Sequence, residues 1–122
     1  MPRAAKDKAR LFGRLAEYVA CMLLVLKGYR ILTRNMRIKG GEIDIIALKA
    51  GVVAFVEVKA RPTLEAALTA ISPEKQRRIS KAARIWLSRN RWDATTTLRG
   101  DAIYVAPFRL PRHLIAAYEL AL

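Results

Sequence analysis

The sequence predicts an α/β protein in which a mixed four-stranded sheet is flanked by helices. Three observations carry that expectation. Two stretches with apolar residues at helical spacing stand far apart, Ile- and Val-rich runs separated by short turns fill the space between them, and one more strand-like run follows the second helix. The element order is therefore α-β-β-β-α-β. Strands joined by short turns form an antiparallel meander, whereas a strand reached through a long helix needs a crossover, hence a parallel, right-handed connection. At 122 residues the chain has the length of one domain, residues 1–122.

From Lys8 to Lys27, Leu11, Leu15, Val19, Met22, Leu23 and Leu26 recur at helical spacing, and Gly28 follows as a stop. Tyr29 to Thr33 is a short strand-like run, and Lys39-Gly40-Gly41 turns the chain. Glu42 to Leu48 and Val52 to Ala60 are rich in Ile and Val, and Ala50-Gly51 between them reads as a hairpin turn. Arg61-Pro62 ends that pair, and Leu64 to Ile71 reads as a short helical connection. Ser72-Pro73-Glu74 is a helix start, with a capping hydroxyl, Pro at the first position and an acid in the first turn. The helix extends to about Asn90, with Ile79, Ala82, Ala83 and Trp86 as its buried stripe. Asp101 to Val105 is the last strand, and Pro107 to Leu122 carries no clear assignment.

Lys plus Arg number 23 against 10 acids, a net charge of +13, yet 53% of the residues are apolar, so the chain can bury a core. Charge this lopsided on a foldable domain points to a polyanionic partner, nucleic acid before an anionic membrane surface. The apolar stretch Leu11 to Leu26 is broken by Arg14 and Glu17, whereas a membrane span needs about 20 nearly uncharged residues. A soluble cytoplasmic protein with no membrane partner is the expectation. Cys21 and His113 are the only residues of their kinds, too few for a Cys/His zinc site of about four ligands. Any metal has to be held by carboxylates.

The chemistry lies in Gly41-Glu42-Ile43-Asp44-Ile45-Ile46 and Phe55-Val56-Glu57-Val58-Lys59. Strand side chains alternate, so Glu57 and Lys59 share a face with Val53 and Phe55. If the hairpin closes on Ala50-Gly51, Lys49 pairs with Val52, Asp44 lies opposite Glu57, and Glu42 lies opposite Lys59. Opposed residues sit about 4.5–5.5 Å apart at Cβ, close enough for two carboxylates to share an ion. Such a pair repels itself unless a cation intervenes, and Mg²⁺ suits one or two carboxylates plus waters and phosphate. Lys59 can place an ammonium near the same point, completing a set suited to phosphodiester hydrolysis. The register is decisive, because a slip of one residue sends Asp44 to the other face. Ala fits poorly in a turn with positive φ, so a three-residue loop with a bulge is the alternative. A solvated face with a Glu42–Lys59 surface ion pair is the competing account of these charges.

Asp44 followed, after twelve residues, by Glu57-Val58-Lys59 resembles the PD-(D/E)xK nuclease motif, and the element order resembles the αβββαβ core of the restriction-endonuclease-like fold. The chain looks more closely like the YraN-like family of small bacterial proteins. That resemblance runs through Gly13-x-x-x-Glu17, Gly28-Tyr29-Arg30-Ile31-Leu32, Asn35, Gly41-Glu42-Ile43-Asp44, Phe55-Val56-Glu57-Val58-Lys59-x-Arg61 and Lys75-Gln76-x-Arg78. It implies a relation to archaeal Holliday junction resolvases and a metal-dependent endonuclease using Mg²⁺ or Mn²⁺. Asp44, Glu57 and the Val58 carbonyl would hold the metal and Lys59 would serve catalysis. Glu17 would join the site from the first helix, or else pair with Arg10 or Arg14. Gln76 would orient a water or phosphate, or else bond within its own helix's surroundings. The chain departs from the family at Arg99-Gly100-Asp101, where Arg-Phe-Asp is usual.

Arg34, Arg37, Lys39 and Arg61 flank the acid-bearing strands, and Lys75, Arg77, Arg78 and Lys81 lie on the second helix. A basic rim of this kind holds a phosphate backbone and does not read bases. DNA, branched or damaged, is the expected partner, with RNA as the alternative. A non-catalytic nucleic-acid-binding module is the rival function, and a structural partner in a larger assembly is a third. A symmetric junction would favour a homodimer, although no residue pattern singles one out.

Overall fold

The computed structural model describes residues 3–122. Its elements are α1 (Arg3–Leu26), β1 (Arg30–Ile38), β2 (Gly41–Lys49), β3 (Val52–Ala60), α2 (Leu64–Ala67), α3 (Pro73–Arg89), β4 (Thr97–Val105) and β5 (Arg112–Tyr118). The strands form one sheet in the order β1-β2-β3-β4-β5. The meander β1-β2-β3 is antiparallel, β3 and β4 are parallel across the α2–α3 crossover, and β5 returns antiparallel to β4. The mixed sheet flanked by helices is thus as the sequence predicts, but it has five strands and not four. The fifth, within Pro107–Leu122, escapes notice because Arg112–Tyr118 holds a single β-branched residue, Ile115, and its pairing comes from β4.

The hairpin settles the register. Ala50 and Gly51 both take positive φ, 49° and 77°, as a two-residue primed turn demands. No three-residue loop forms, and the ladder runs from Lys49–Val52 to Ile45–Val56. β1 extends beyond its strand-like run to Ile38 as an edge strand, its polar second half carrying Asn35 at φ 52°.

The sheet buries apolar side chains on both faces. On one, Phe55, Ile46, Val53 and Ala102 meet Ile79, Ala82, Ala83 and Trp86 of α3, the stripe expected from its spacing. Ser72 caps that helix, its hydroxyl accepting from the Lys75 N–H at 3.1 Å. Trp86 packs edge-on to Phe55 at 5.9 Å and stacks with Trp92 at 5.5 Å, so both indoles serve the core.

On the other face, Ala16, Ala20 and Leu24 of α1 lie against Ile45, Val56 and Ile103. This is not the stripe that the periodicity of α1 picks out. Leu11, Leu15, Val19, Met22 and Leu26 face outward, Met22 with 64% and Leu26 with 83% of its surface open. The small residues win the inner face because they let the helix axis approach the sheet closely, where a row of Leu would hold it away.

Arg99-Gly100-Asp101 also finds its explanation in β5. A Cβ at Gly100 would meet the ring of Tyr118 at 2.7 Å, so Tyr118 fills the space that an aromatic at position 100 would need. Its hydroxyl donates to the Phe55 carbonyl at 2.7 Å, tying β5 to the centre of the sheet.

Candidate functional site

The site forms where β2 and β3 part. The ladder ends at Ile45–Val56, and just beyond it the Asp44 and Glu57 carboxyls are neighbours, with the Val58 N–H donating to Asp44 Oδ2 at 2.8 Å. Glu57 is 8% exposed. Burial first, then the Asp44 carboxyl beside it, pushes its carboxyl up to about 9. Two adjacent carboxylates of which one resists ionisation are a donor set that a hard divalent cation fits, since its charge lets both ionise.

Glu42 does not pair with Lys59. It is held by Lys75, by Arg37 at 3.1 Å and by Arg78 at 3.9 Å. The reason is the closeness of α3 to β2. A Cβ at Gly41 would stand 2.8 Å from the Arg78 carbonyl oxygen, so only glycine admits the first turns of α3 over the strand. Lys75 thereby reaches Glu42 and comes within 3.5 Å of Glu57 Oε2. The Lys75 hydrogen bond lowers the Glu42 pKa. Burial works to lower the pKa of Lys75, but its bond to Glu42 and the charge of Glu57 outweigh that and raise it. Lys59 instead donates to the carbonyl (2.8 Å) and the hydroxyl of Thr69, in the segment between α2 and α3. Burial and the charge of Arg61 lower the Lys59 pKa.

Asp44, Glu57, Val58 and Lys59 line one open groove of about 1280 Å³. Glu17 lines the same groove from α1, and no ion pair with Arg10 or Arg14 forms among the described residues. Among those residues no three His, Cys, Asp or Glu side chains gather into a metal-holding group, so Glu17 shares the groove without joining the Asp44–Glu57 pair. Gln76 does not line the groove. Its Nε2 donates to the Ile71 carbonyl at 2.8 Å, and Ile71 is the residue that faces the groove.

Of the basic residues expected to meet a polyanion, Arg37, Arg61 and Lys75 line the groove. Arg78 reaches its edge through Glu42, while Arg77 and Lys81 are exposed on α3 and Lys39 is exposed in the turn before β2. Arg34 lies apart, its guanidinium 4.6 Å above the Tyr18 ring. Lys8, Arg10 and Arg14 also line the groove, and sequence reasoning missed Lys8 and took the arginines only as partners for Glu17. Their signal is their place on the helix that carries Glu17. Seven cations thus surround four acids: Lys8, Arg10, Arg14, Arg37, Lys59, Arg61 and Lys75 against Glu17, Glu42, Asp44 and Glu57.

Away from the groove, Asp101 is fully buried beneath Arg99, which bonds both its oxygens at 2.8 Å. His113 Nε2 and the Ala116 N–H bring further contacts at 2.8 and 3.1 Å. Burial pushes the Asp101 carboxyl up, but the bonds from His113, Arg99 and Ala116 outweigh it and hold the group at about 2. Asp101 and His113 therefore knit β5 to β4. Burial raises the Cys21 thiol, which makes it a poor nucleophile.

Fold and site define a class: an α/β protein with a carboxylate pair at the end of a mixed sheet, set in a groove rimmed by cations. Among the described residues no helix is long and apolar enough to cross a membrane. The chain belongs to the uncharacterised protein family UPF0102, the YraN-like group, whose model matches residues 16–105. It is 57% identical over 108 residues to a UPF0102 protein of Methylocella silvestris, covering 88% of this chain and 87% of that one. It is 52% identical over 120 residues to a UPF0102 protein of Methylobacterium nodulans, covering 98% and 93% of the two chains. The family match spans Glu17, Asp44, Glu57 and Lys59, and stops before β5.

Proposed function

We propose that this protein is a metal-dependent endonuclease that hydrolyses phosphodiester bonds in DNA, with branched or damaged DNA as its substrate class. The observation that carries this reading is the juxtaposition of Asp44 and Glu57, with Lys59 two residues along the same strand, inside a groove rimmed by cations. A pure binding surface gains nothing from acids aimed at a phosphate backbone.

Asp44 and Glu57, with the Val58 carbonyl, would hold Mg²⁺ or Mn²⁺, which supplies polarisation of the phosphate and an acidified water. Lys59, which lines the groove and is held by Thr69, would offer its ammonium to charge developing on the phosphate. Glu17 faces the same space and orients solvent there. Gln76 acts at one remove, by fixing the Ile71 carbonyl at the groove wall. Arg37, Arg61, Lys75 and the cations of α1 hold the phosphate backbone, so binding weakens steeply with salt.

One observation favours a non-catalytic nucleic-acid-binding module. Lys75 and Arg37 neutralise Glu42 and approach Glu57 and Asp44, at 3.5 and 3.9 Å, so cations of the chain itself partly offset these acids. Cleavage of supercoiled, single-stranded and four-way-junction DNA with Mg²⁺ or Mn²⁺ separates the two. The nuclease reading expects metal-dependent cutting that falls at least about a hundredfold in Glu57→Ala and Lys59→Ala, since such groups supply several kcal/mol of transition-state stabilisation. DNA binding with no metal-dependent cutting of any of these substrates overturns it.

A further inference from the structure

Helix α1 is apolar on two opposite sides. Ala16, Ala20 and Leu24 pack on the sheet. On the far side Leu11, Leu15, Tyr18, Met22 and Val25 succeed one another at steps of four, three, four and three residues, flanked by Val19 and Leu26. All seven are exposed. A helix apolar all round is normally covered all round. Isolated surface leucines need no explanation, but a contiguous stripe of seven does.

We propose that this stripe is the interface through which two copies of the chain pair, α1 against α1, antiparallel about a twofold axis at Tyr18. The alternating steps of four and three are the 3.5-residue repeat of a knobs-into-holes seam, and a twofold interface must be complementary to itself. With full residue surfaces of about 150–200 Å² and the exposures seen here, the stripe offers roughly 600–800 Å² per copy, at or just under the size of a standard stable interface. None of the seven side chains is itself charged, on a chain of net charge +13, and the Arg34 guanidinium that lies over the Tyr18 ring comes from β1.

Charge also sets the orientation. The exposed cations of α1 cluster in its first half, at Arg3, Lys6, Lys8, Arg10 and Arg14, so a parallel pair would bring two such clusters together. An antiparallel pair centred on Tyr18 keeps them apart. The groove opens on the first half of the same helix, so the pair would carry a groove at each end. That consequence rests on the proposed nuclease function, whereas the pairing does not.

The test is the mass of the full chain by light scattering or sedimentation, over a wide range of concentration. Wild type is expected to be a dimer. Leu15→Glu and Met22→Glu, each at an exposed position and checked for an unchanged circular dichroism spectrum, are expected to weaken it at least about a hundredfold. Leu114→Glu, on exposed β5, is expected to leave it intact. In a Cys21→Ala background, Leu11→Cys and Val25→Cys chains should cross-link when mixed and not when alone. A monomer at every concentration overturns the proposal, including a monomer that binds anionic vesicles through the stripe. So does a dimer that survives both glutamates, or one in which Leu11→Cys cross-links with itself. None of these outcomes depends on DNA cleavage, so a chain that fails to cut can still be found to dimerise.

Discussion

Replacing Asp101 by asparagine tests the buried network that holds β5. The carboxylate is fully buried and takes both hydrogen bonds of the Arg99 fork, one from His113 and one from the Ala116 N–H. Breaking a buried ion pair costs about 3–5 kcal/mol, because the surviving charge loses its partner. The low end applies here, roughly 3 kcal/mol, since the Arg99 side chain keeps 20% exposure and can partly rehydrate. Urea denaturation at pH 7 reads this as a lower midpoint with an unchanged slope. The acid limb gives a second, independent signature. The folded pKa of about 2 lies below the ordinary 3.8, so the stabilisation is present above pH 3.8 and is lost as pH falls through 2. A depression of this size corresponds to roughly 2–3 kcal/mol in wild type, which the variant cannot lose. Equal acid limbs in the two proteins, or a midpoint shift worth under about 1 kcal/mol, would refute the assignment of Asp101 as the anchor of β5.

Two further outcomes follow from the backbone and from packing. Ala50 holds φ 49° in the β2–β3 turn, a region costly for a residue with a Cβ, so Ala50→Gly should stabilise the protein by about 1 kcal/mol, read as a raised melting temperature; a lowered one would mean that the turn is not of the primed type. Gly100→Phe should destabilise by several kcal/mol because Tyr118 already fills that space, and adding Tyr118→Ala should recover part of the loss, a coupling that a double-mutant cycle measures; simple additivity would show that the two positions do not compete.

Much of the frame is legible in the chain because its signals are local. Ser72-Pro73-Glu74 marks the start of α3, the Ile/Val run from Val52 to Ala60 is β3 to the residue, and Ala50-Gly51 closes the hairpin. Register then follows from the turn as far as Ile45–Val56, and it carries Asp44 and Glu57, the next residue of each strand, close to one another. β5 is not legible, since its strand character comes from pairing with β4 and from Asp101 receiving the Ala116 N–H. The partner of Glu42 is not legible either: the hairpin alone offers Lys59, and only α3 seated over Gly41 delivers Lys75.

The sequence by itself determined the elements as far as β4, the meander with its parallel return, and the meeting of one acid from each of two adjacent strands. Tertiary structure decided which side of α1 touches the sheet, which cations enter the groove and what holds the last strand. The physical reason is that periodicity and turn chemistry fix the direction of a side chain relative to its own element. Which neighbour it meets depends on how closely two elements approach, and small residues set that distance: Ala16 and Ala20 beneath α1, Gly41 beneath α3 and Gly100 beneath Tyr118.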